Sequence, residues 1–145
     1  MSDSLVIIPT YNEKENAEKI IRTVFSLDKS FHILIVDDGS PDGTAQIVKD
    51  LQKEFSDNLH LEERTGKLGL GTAYIHGFKW GIKHKYDYIF EMDADFSHPV
   101  DRLEALYDAC AKNGADLSVG SRYVKGGGIS NWPFKRRFLS YGASL

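Results

Sequence analysis

His32-Ile33-Leu34-Ile35-Val36-Asp37-Asp38-Gly39-Ser40-Pro41-Asp42-Gly43 sets the reading of the whole chain. Its first half is continuously apolar and rich in β-branched residues. It has no alternation of apolar and polar side chains, so it suits a strand covered on both faces. Its second half is an abrupt polar turn, and Asp42–Phe55 then places Ile47, Val48, Leu51 and Phe55 at helical spacing.

The unit repeats outward in both directions. Leu5–Ile8 is an apolar run that Pro9 is expected to stop, and Glu13–Leu27 follows with Ala17, Ile20, Ile21, Val24 and Phe25 on one helical face. Downstream, Leu59–Leu61 reads as a weak strand, Gly71–Lys83 as a helix, Tyr88–Met92 as a strand and Val100–Lys112 as a helix. Leu117–Val119 reads as a last strand and Phe134–Leu145 as a last helix. Alternation of this kind predicts an α/β fold, a Rossmann-like and mostly parallel sheet flanked by helices. At 145 residues the chain is read as one domain.

In such sheets ligands bind outside the carboxyl ends of the strands, where the strand order reverses. Four strands run into polar groups there: Pro9–Glu13, Asp37–Asp42, Asp93-Ala94-Asp95 and Gly120-Ser121-Arg122. Parallel strands would line all four along one edge.

Asp93 and Asp95 can turn two carboxylates toward one cation. Hard oxygen ligands suit Mg²⁺ or Mn²⁺, and two of them leave room in the shell for phosphate oxygens and water. Solvated helix-capping aspartates are the plainer reading of an isolated Asp-x-Asp, but the place at a strand end favours a site. In the second turn Asp42 is expected to cap the next helix, and Gly39 and Gly43 to supply backbone freedom. No structural duty is evident for Asp38, which can accept hydrogen bonds from a base or ribose. Lys67-Leu68-Gly69-Leu70-Gly71 fails as a dinucleotide fingerprint, because the third glycine would fall at Tyr74. It reads as a turn and helix start able to approach a donor. Arg122 can clamp a phosphate with two hydrogen bonds, and a surface ion pair is its plainer alternative. Cys110 reads as core, beside Leu103, Leu106 and Tyr107. His98 has no histidine near it in sequence to share a metal.

The bulk properties exclude several classes. A net charge of −3 argues against nucleic acid as a partner. The single cysteine rules out an internal disulfide and fits a reducing, cytoplasmic setting. The first residues have no secretory pattern, and no apolar run approaches the roughly 20 residues of a membrane span.

Val6–Glu13, Val36–Thr44, Lys67–Gly77, Met92–Pro99 and Gly120–Lys125 together resemble the dolichol-phosphate mannosyltransferases and their bacterial polyprenol-phosphate relatives, in glycosyltransferase family 2. The resemblance runs over essentially the whole chain. It implies a GT-A fold, a nucleotide-diphosphate-sugar donor, usually GDP-mannose, and a polyprenyl phosphate acceptor. It implies Mg²⁺ or Mn²⁺ held by Asp93 and Asp95. Pro9, Tyr11, Glu13, Val36 and Asp38 match the positions that hold the nucleoside, and Ala94 and Ser97 those beside the metal and diphosphate. Arg122 matches a phosphate-binding arginine that would act in catalysis with the two aspartates, and Arg136 one that meets the acceptor phosphate. The implied chemistry is displacement at the anomeric carbon with inversion.

Family members continue past the position of Leu145, so the chain is expected to lack their C-terminal portion. Trp132, Phe134, Lys135, Arg136, Arg137 and Phe138 bring aromatic and basic side chains together, as a peripheral contact with a membrane surface would require; an ordinary amphipathic helix packing on protein is the alternative. A polysaccharide-building family 2 enzyme that uses UDP-sugars, and an inactive nucleotide-binding fragment, are the competing expectations.

Overall fold

The computed structural model describes residues 2–119. Four strands form one parallel sheet: β1 (Ser4–Thr10), β2 (His32–Asp37), β3 (Leu59–Glu63) and β4 (Tyr88–Glu91), in the order β3-β2-β1-β4. Helices α1 (Ala17–Phe25), α2 (Thr44–Gln52), α3 (Leu70–Lys83) and α4 (Leu103–Ala111) alternate with them, and a 3₁₀ turn at Val100–Arg102 leads into α4. The predicted α/β alternation therefore holds through α4. The helix expected at Phe134–Leu145 lies outside the described residues.

Side chains of β1 divide the core in two. Val6 and Ile8 face α1 and α2, joining Ile33, Ile35, Ile20, Ile21, Val24, Val48 and Leu51. Leu5 and Ile7 face α3, joining Leu34, Val36 and Ala73. All four β1 residues are fully buried. Coverage on both faces is why these strands read as unbroken apolar runs. On the α3 side, glycine makes close packing possible. A Cβ on Gly77 would lie 2.7 Å from Ile7 Cδ1, and one on Gly81 2.8 Å from Ile89 Cδ1.

Three sequence expectations need correction. Pro9 does not end β1 but lies within it, opposite Val36. The Ile7 carbonyl accepts from Met92 N–H, so Ile7 and Pro9 both face the β4 side. The β1–β4 ladder ends at Ile7 and Glu91, so no partner there requires the N–H that proline lacks. Second, α1 begins at Ala17 rather than Glu13. The N–H groups of Glu13 and Lys14 are taken by Thr44 Oγ1 and Asp42 Oδ2, which holds this stretch as a turn.

Third, Leu117–Val119 forms no strand. Ser118 donates to the Leu106 carbonyl at 3.0 Å, while Leu117 and Val119 stay exposed. The segment folds back on α4 rather than along the sheet edge. Cys110 is half-buried on that flank, with Sγ 3.7 Å from Ser118 Oγ.

Candidate active site

The chain adds β2 and then β3 to one side of β1, and β4 to the other. The order thus reverses between β1 and β4, where the carboxyl ends leave a crevice. An open cleft lies there. Its walls come from Pro9, Thr10, Tyr11 and Glu13 after β1, Asp38 after β2, Lys67, Gly69, Leu70 and Ala73 at the start of α3, and Asp93, Ala94 and Asp95 after β4.

The fold thereby brings Pro9, Tyr11, Glu13, Asp38, Asp93, Ala94 and Asp95 together in one wall. Val36 is fully buried in the core facing α3 and does not line the cleft. Ser97 stands outside the wall, and its N–H donates to Asp95 Oδ1 at 3.0 Å. Arg122 and Arg136 lie outside the described residues.

Each acidic group is held by a specific partner. Asp93 Oδ1 accepts from the Tyr74 hydroxyl at 2.8 Å. Burial and the adjoining Asp93 carboxylate push the Tyr74 hydroxyl well above its ordinary pKa, so it stays a donor. The Asp93 N–H donates to His98 Nδ1 at 3.1 Å, closing the turn from the other side. Hydrogen bonding by Ser97 holds the Asp95 carboxyl below the usual carboxylate range. Phe96 takes a left-handed φ of 62° at the same turn. That conformation is unfavourable for a bulky residue, and the packing of the Phe96 ring against the core offsets the strain.

The turn after β2 is built around Asp37. Its buried carboxylate accepts from Thr10 Oγ1 at 2.7 Å, Ser40 Oγ at 2.6 Å and the Ser40 N–H at 3.0 Å. Ser40 Oγ in turn accepts from the Asn12 N–H at 2.9 Å. Asp37 thus locks the ends of β1 and β2 together, which leaves Asp38 facing the cleft. Gly39 and Gly43 take φ values of 71° and 91°, the freedom expected of them. The expected cap is displaced by one residue. Gly43 occupies the cap position of α2, and Asp42 Oδ1 accepts the Thr44 N–H from the residue before it.

Asp38 does have a structural partner, contrary to the sequence reading. Arg64 Nε donates to Oδ1 at 2.6 Å and Nη2 to Oδ2 at 2.8 Å, with both side chains over nine-tenths buried. Arg64 lies just past a weak strand, and no sequence signal marked it. Tyr74 was within reach of sequence reasoning, as it lies three residues before Gly77 on the side of α3 that packs on the sheet. Lys67 Nζ stands 4.8 Å from the Tyr11 ring centroid and adds a cation to the wall.

Asp93 and Asp95 could hold a divalent cation. Asp93 Oδ1 is tied to the Tyr74 hydroxyl and Asp95 Oδ1 to the Ser97 N–H, and both carboxylates line the cleft. Among the described residues no group of three or more His, Cys, Asp or Glu side chains converges on a metal position. Two hard oxygens with the rest of the shell left to phosphate and water is the arrangement that Mg²⁺-type ions accept, so the residues fit such an ion.

A model of the family described as "Glycosyl transferase family 2" matches residues 5–144. The chain is 50% identical to the polyprenol monophosphomannose synthase of Mycolicibacterium smegmatis, over 94% of this chain and 51% of that protein. It is 43% identical to the undecaprenyl-phosphate mannosyltransferase of Micrococcus luteus, over 97% and 57% of the two chains. To the dolichol-phosphate mannosyltransferase of Pyrococcus furiosus it is 41% identical, over 97% and 39%. The chain thus spans about half the length of the curated relatives it matches, or less. Among solved structures, a mannosyltransferase from Pyrobaculum calidifontis in complex with GDP-Man and Mn²⁺ superposes with a TM-score of 0.51 at 28% identity, covering 54% of this chain and 24% of that one. S. aureus TarS shares the fold, with a TM-score of 0.56 at 23% identity over 74% and 32% of the chains. The architecture is GT-A, as the resemblance implied.

Proposed function

The chain belongs to glycosyl transferase family 2, and on that premise we propose that it carries the donor half of an enzyme that transfers mannose from GDP-mannose to a polyprenyl phosphate. One observation carries the reading. Asp38 and the Asp93–Asp95 pair line one cleft at the reversal of strand order, so one donor would meet Asp38 through its nucleoside and the pair through its diphosphate. The names of the relatives supply the sugar and the lipid phosphate.

In this reading Asp38, Pro9, Tyr11 and Glu13 hold the nucleoside. Asp93 and Asp95 would hold Mg²⁺ or Mn²⁺, whose charge would stabilise a departing diphosphate. The neighbour solved with GDP-Man and Mn²⁺ supports that assignment. Tyr74 orients Asp93, and the turn braced by His98 and Ser97 fixes the spacing of the pair. Arg122 binds donor phosphate and Arg136 the acceptor phosphate, both by resemblance.

An acceptor phosphate monoester is anionic at neutral pH and can displace the nucleotide without surrendering a proton. A general base is therefore unnecessary, and attack from the opposite face inverts the anomeric carbon. Positioning and electrostatic stabilisation supply the rate. Among the described residues no helix is long and apolar enough to cross a membrane. A lipid acceptor calls for a site beside a bilayer; the single cysteine's fit to a reducing compartment favours the cytoplasmic face, and the basic and aromatic residues 132–138 are the surface we assign to the membrane.

The test is transfer to a short polyprenyl phosphate from a panel of GDP- and UDP-sugars, by the protein carrying this chain. Mannosyl transfer from GDP-mannose with an inverted anomeric centre is expected. Transfer from UDP-sugars to carbohydrate acceptors, or none from any donor, would contradict the reading.

A further inference from the structure

The guanidinium of Arg64 makes more contacts than an ion pair requires. Besides its two bonds to Asp38, Nη1 donates to Thr72 Oγ1 at 3.1 Å and Nη2 reaches the Gly69 carbonyl at 3.4 Å. Thr72 Oγ1 lies 2.7 Å from that same carbonyl, to which it donates. The Arg64 N–H donates to the Asp37 carbonyl at 2.7 Å, which fixes the backbone from which the side chain extends. A single buried cation thus joins the carboxylate after β2 to the glycine-containing loop that opens α3. Lys67 and Gly69 of that loop, and Leu70 at the start of α3, line the same cleft as Asp38 and Asp93. Gly69 has a φ of 105° and no side chain of its own to anchor it.

We propose that Arg64 is a positioning residue for nucleotide recognition: it aims Asp38 into the cleft and clamps the Lys67–Gly69 loop beside it, so that nucleotide binding and the order of the loop are coupled. The inference rests on the proposed function for its ligand, but the clamp itself rests on the geometry alone. A carboxylate has about four acceptor positions, so the pair with Arg64 leaves Asp38 able to accept from a base or ribose. Lysine cannot reproduce the fork, because its point charge satisfies Asp38 or the loop but not both.

The experiment uses the full chain, with GDP as the probe in the presence of Mn²⁺. Affinity is measured by calorimetry, and the rate of tryptic cutting after Lys67 is followed by mass spectrometry, with and without GDP. Arg64→Lys should bind GDP roughly tenfold more weakly. It should also be cut faster after Lys67, and GDP should protect the wild type but not the variant. Thr72→Val leaves the Asp38 pair intact and removes the Nη1 contact, together with the bonds that Thr72 Oγ1 makes to the Leu68 and Gly69 carbonyls, so it too should be cut faster. If Arg64→Lys fails to fold, Thr72→Val carries the test, and cutting as slow as in the wild type overturns the clamp. Unchanged cutting after Lys67 in the folded variants overturns the clamp, whatever the affinity. A wild type that binds no nucleotide sinks the functional reading instead, and the cutting rates still judge the clamp.

Discussion

The Tyr74 hydroxyl donates to Asp93 Oδ1 at 2.8 Å, which ties α3 to the turn after β4. If Asp93 holds a cation, Tyr74 orients the ligand without touching the ion. Removal of such outer partners typically weakens metal affinity about 10- to 100-fold. Tyr74→Phe should therefore lower Mn²⁺-dependent nucleotide affinity by that order while the fold survives. A titration of Mn²⁺ at fixed nucleotide checks it, and an unchanged midpoint would count against the role.

Asp38 and Arg64 form a buried pair, so Asp38→Asn should lower both nucleotide affinity and stability. Breaking one partner of such a pair costs about 3–5 kcal/mol. Thermal melting of Asp38→Asn beside Asp42→Ala is the measurement. Asp38→Asn should have the lower Tm, since Asp42 loses only a solvent-accessible tie between α2 and the Lys14 N–H.

Gly77 is expected to resist substitution. Its added Cβ would meet Ile7 Cδ1 and Cγ2, both at 2.7 Å, and Ile7 is fully buried. Overpacking of this kind costs about 1–3 kcal/mol. Gly71 has open space around it, so Gly71→Ala should be neutral or stabilising. Denaturant midpoints of the two variants should separate in that order.

The far end of the sheet carries a pH dependence. His60 Nε2 is buried with no hydrogen-bond partner among the described residues, its ring lies 5.0 Å from Trp80 and 6.0 Å from His32, and His32 Nδ1 pairs with the Tyr86 hydroxyl at 2.7 Å. Desolvation pushes both imidazoles below the ordinary 6.5. The unfolded chain then binds protons more readily than the folded one, so stability is present above pH 6.5 and falls as pH drops below it. Melting between pH 7.5 and 5 should show that loss, and His60→Phe should shrink it. An equal slope in the variant would contradict this account.

Much of this was legible before the fold was known. The continuous apolar runs of β1 and β2 announced a sheet covered on both faces, and the strand-end position of Asp93 and Asp95 marked the cleft. Other features were hidden because they depend on partners distant in sequence. The Arg64–Asp38 pair spans 26 positions and leaves no periodic trace. Pro9 read as a stop because a sequence does not show which neighbour a residue faces. Leu117–Val119 read as a strand from its apolar residues alone, but the Ser118 hydroxyl ties the segment to the Leu106 carbonyl of α4 instead.

The central claim is that Asp93 and Asp95 hold a divalent ion that the nucleotide sugar requires. The most direct test is calorimetry of GDP-mannose binding to the wild type, Asp93→Asn and Asp95→Asn, each with Mn²⁺ and with chelator. The account predicts binding by the wild type with Mn²⁺, and loss of that binding with chelator or with either substitution. Binding of equal affinity in all six cases would contradict it.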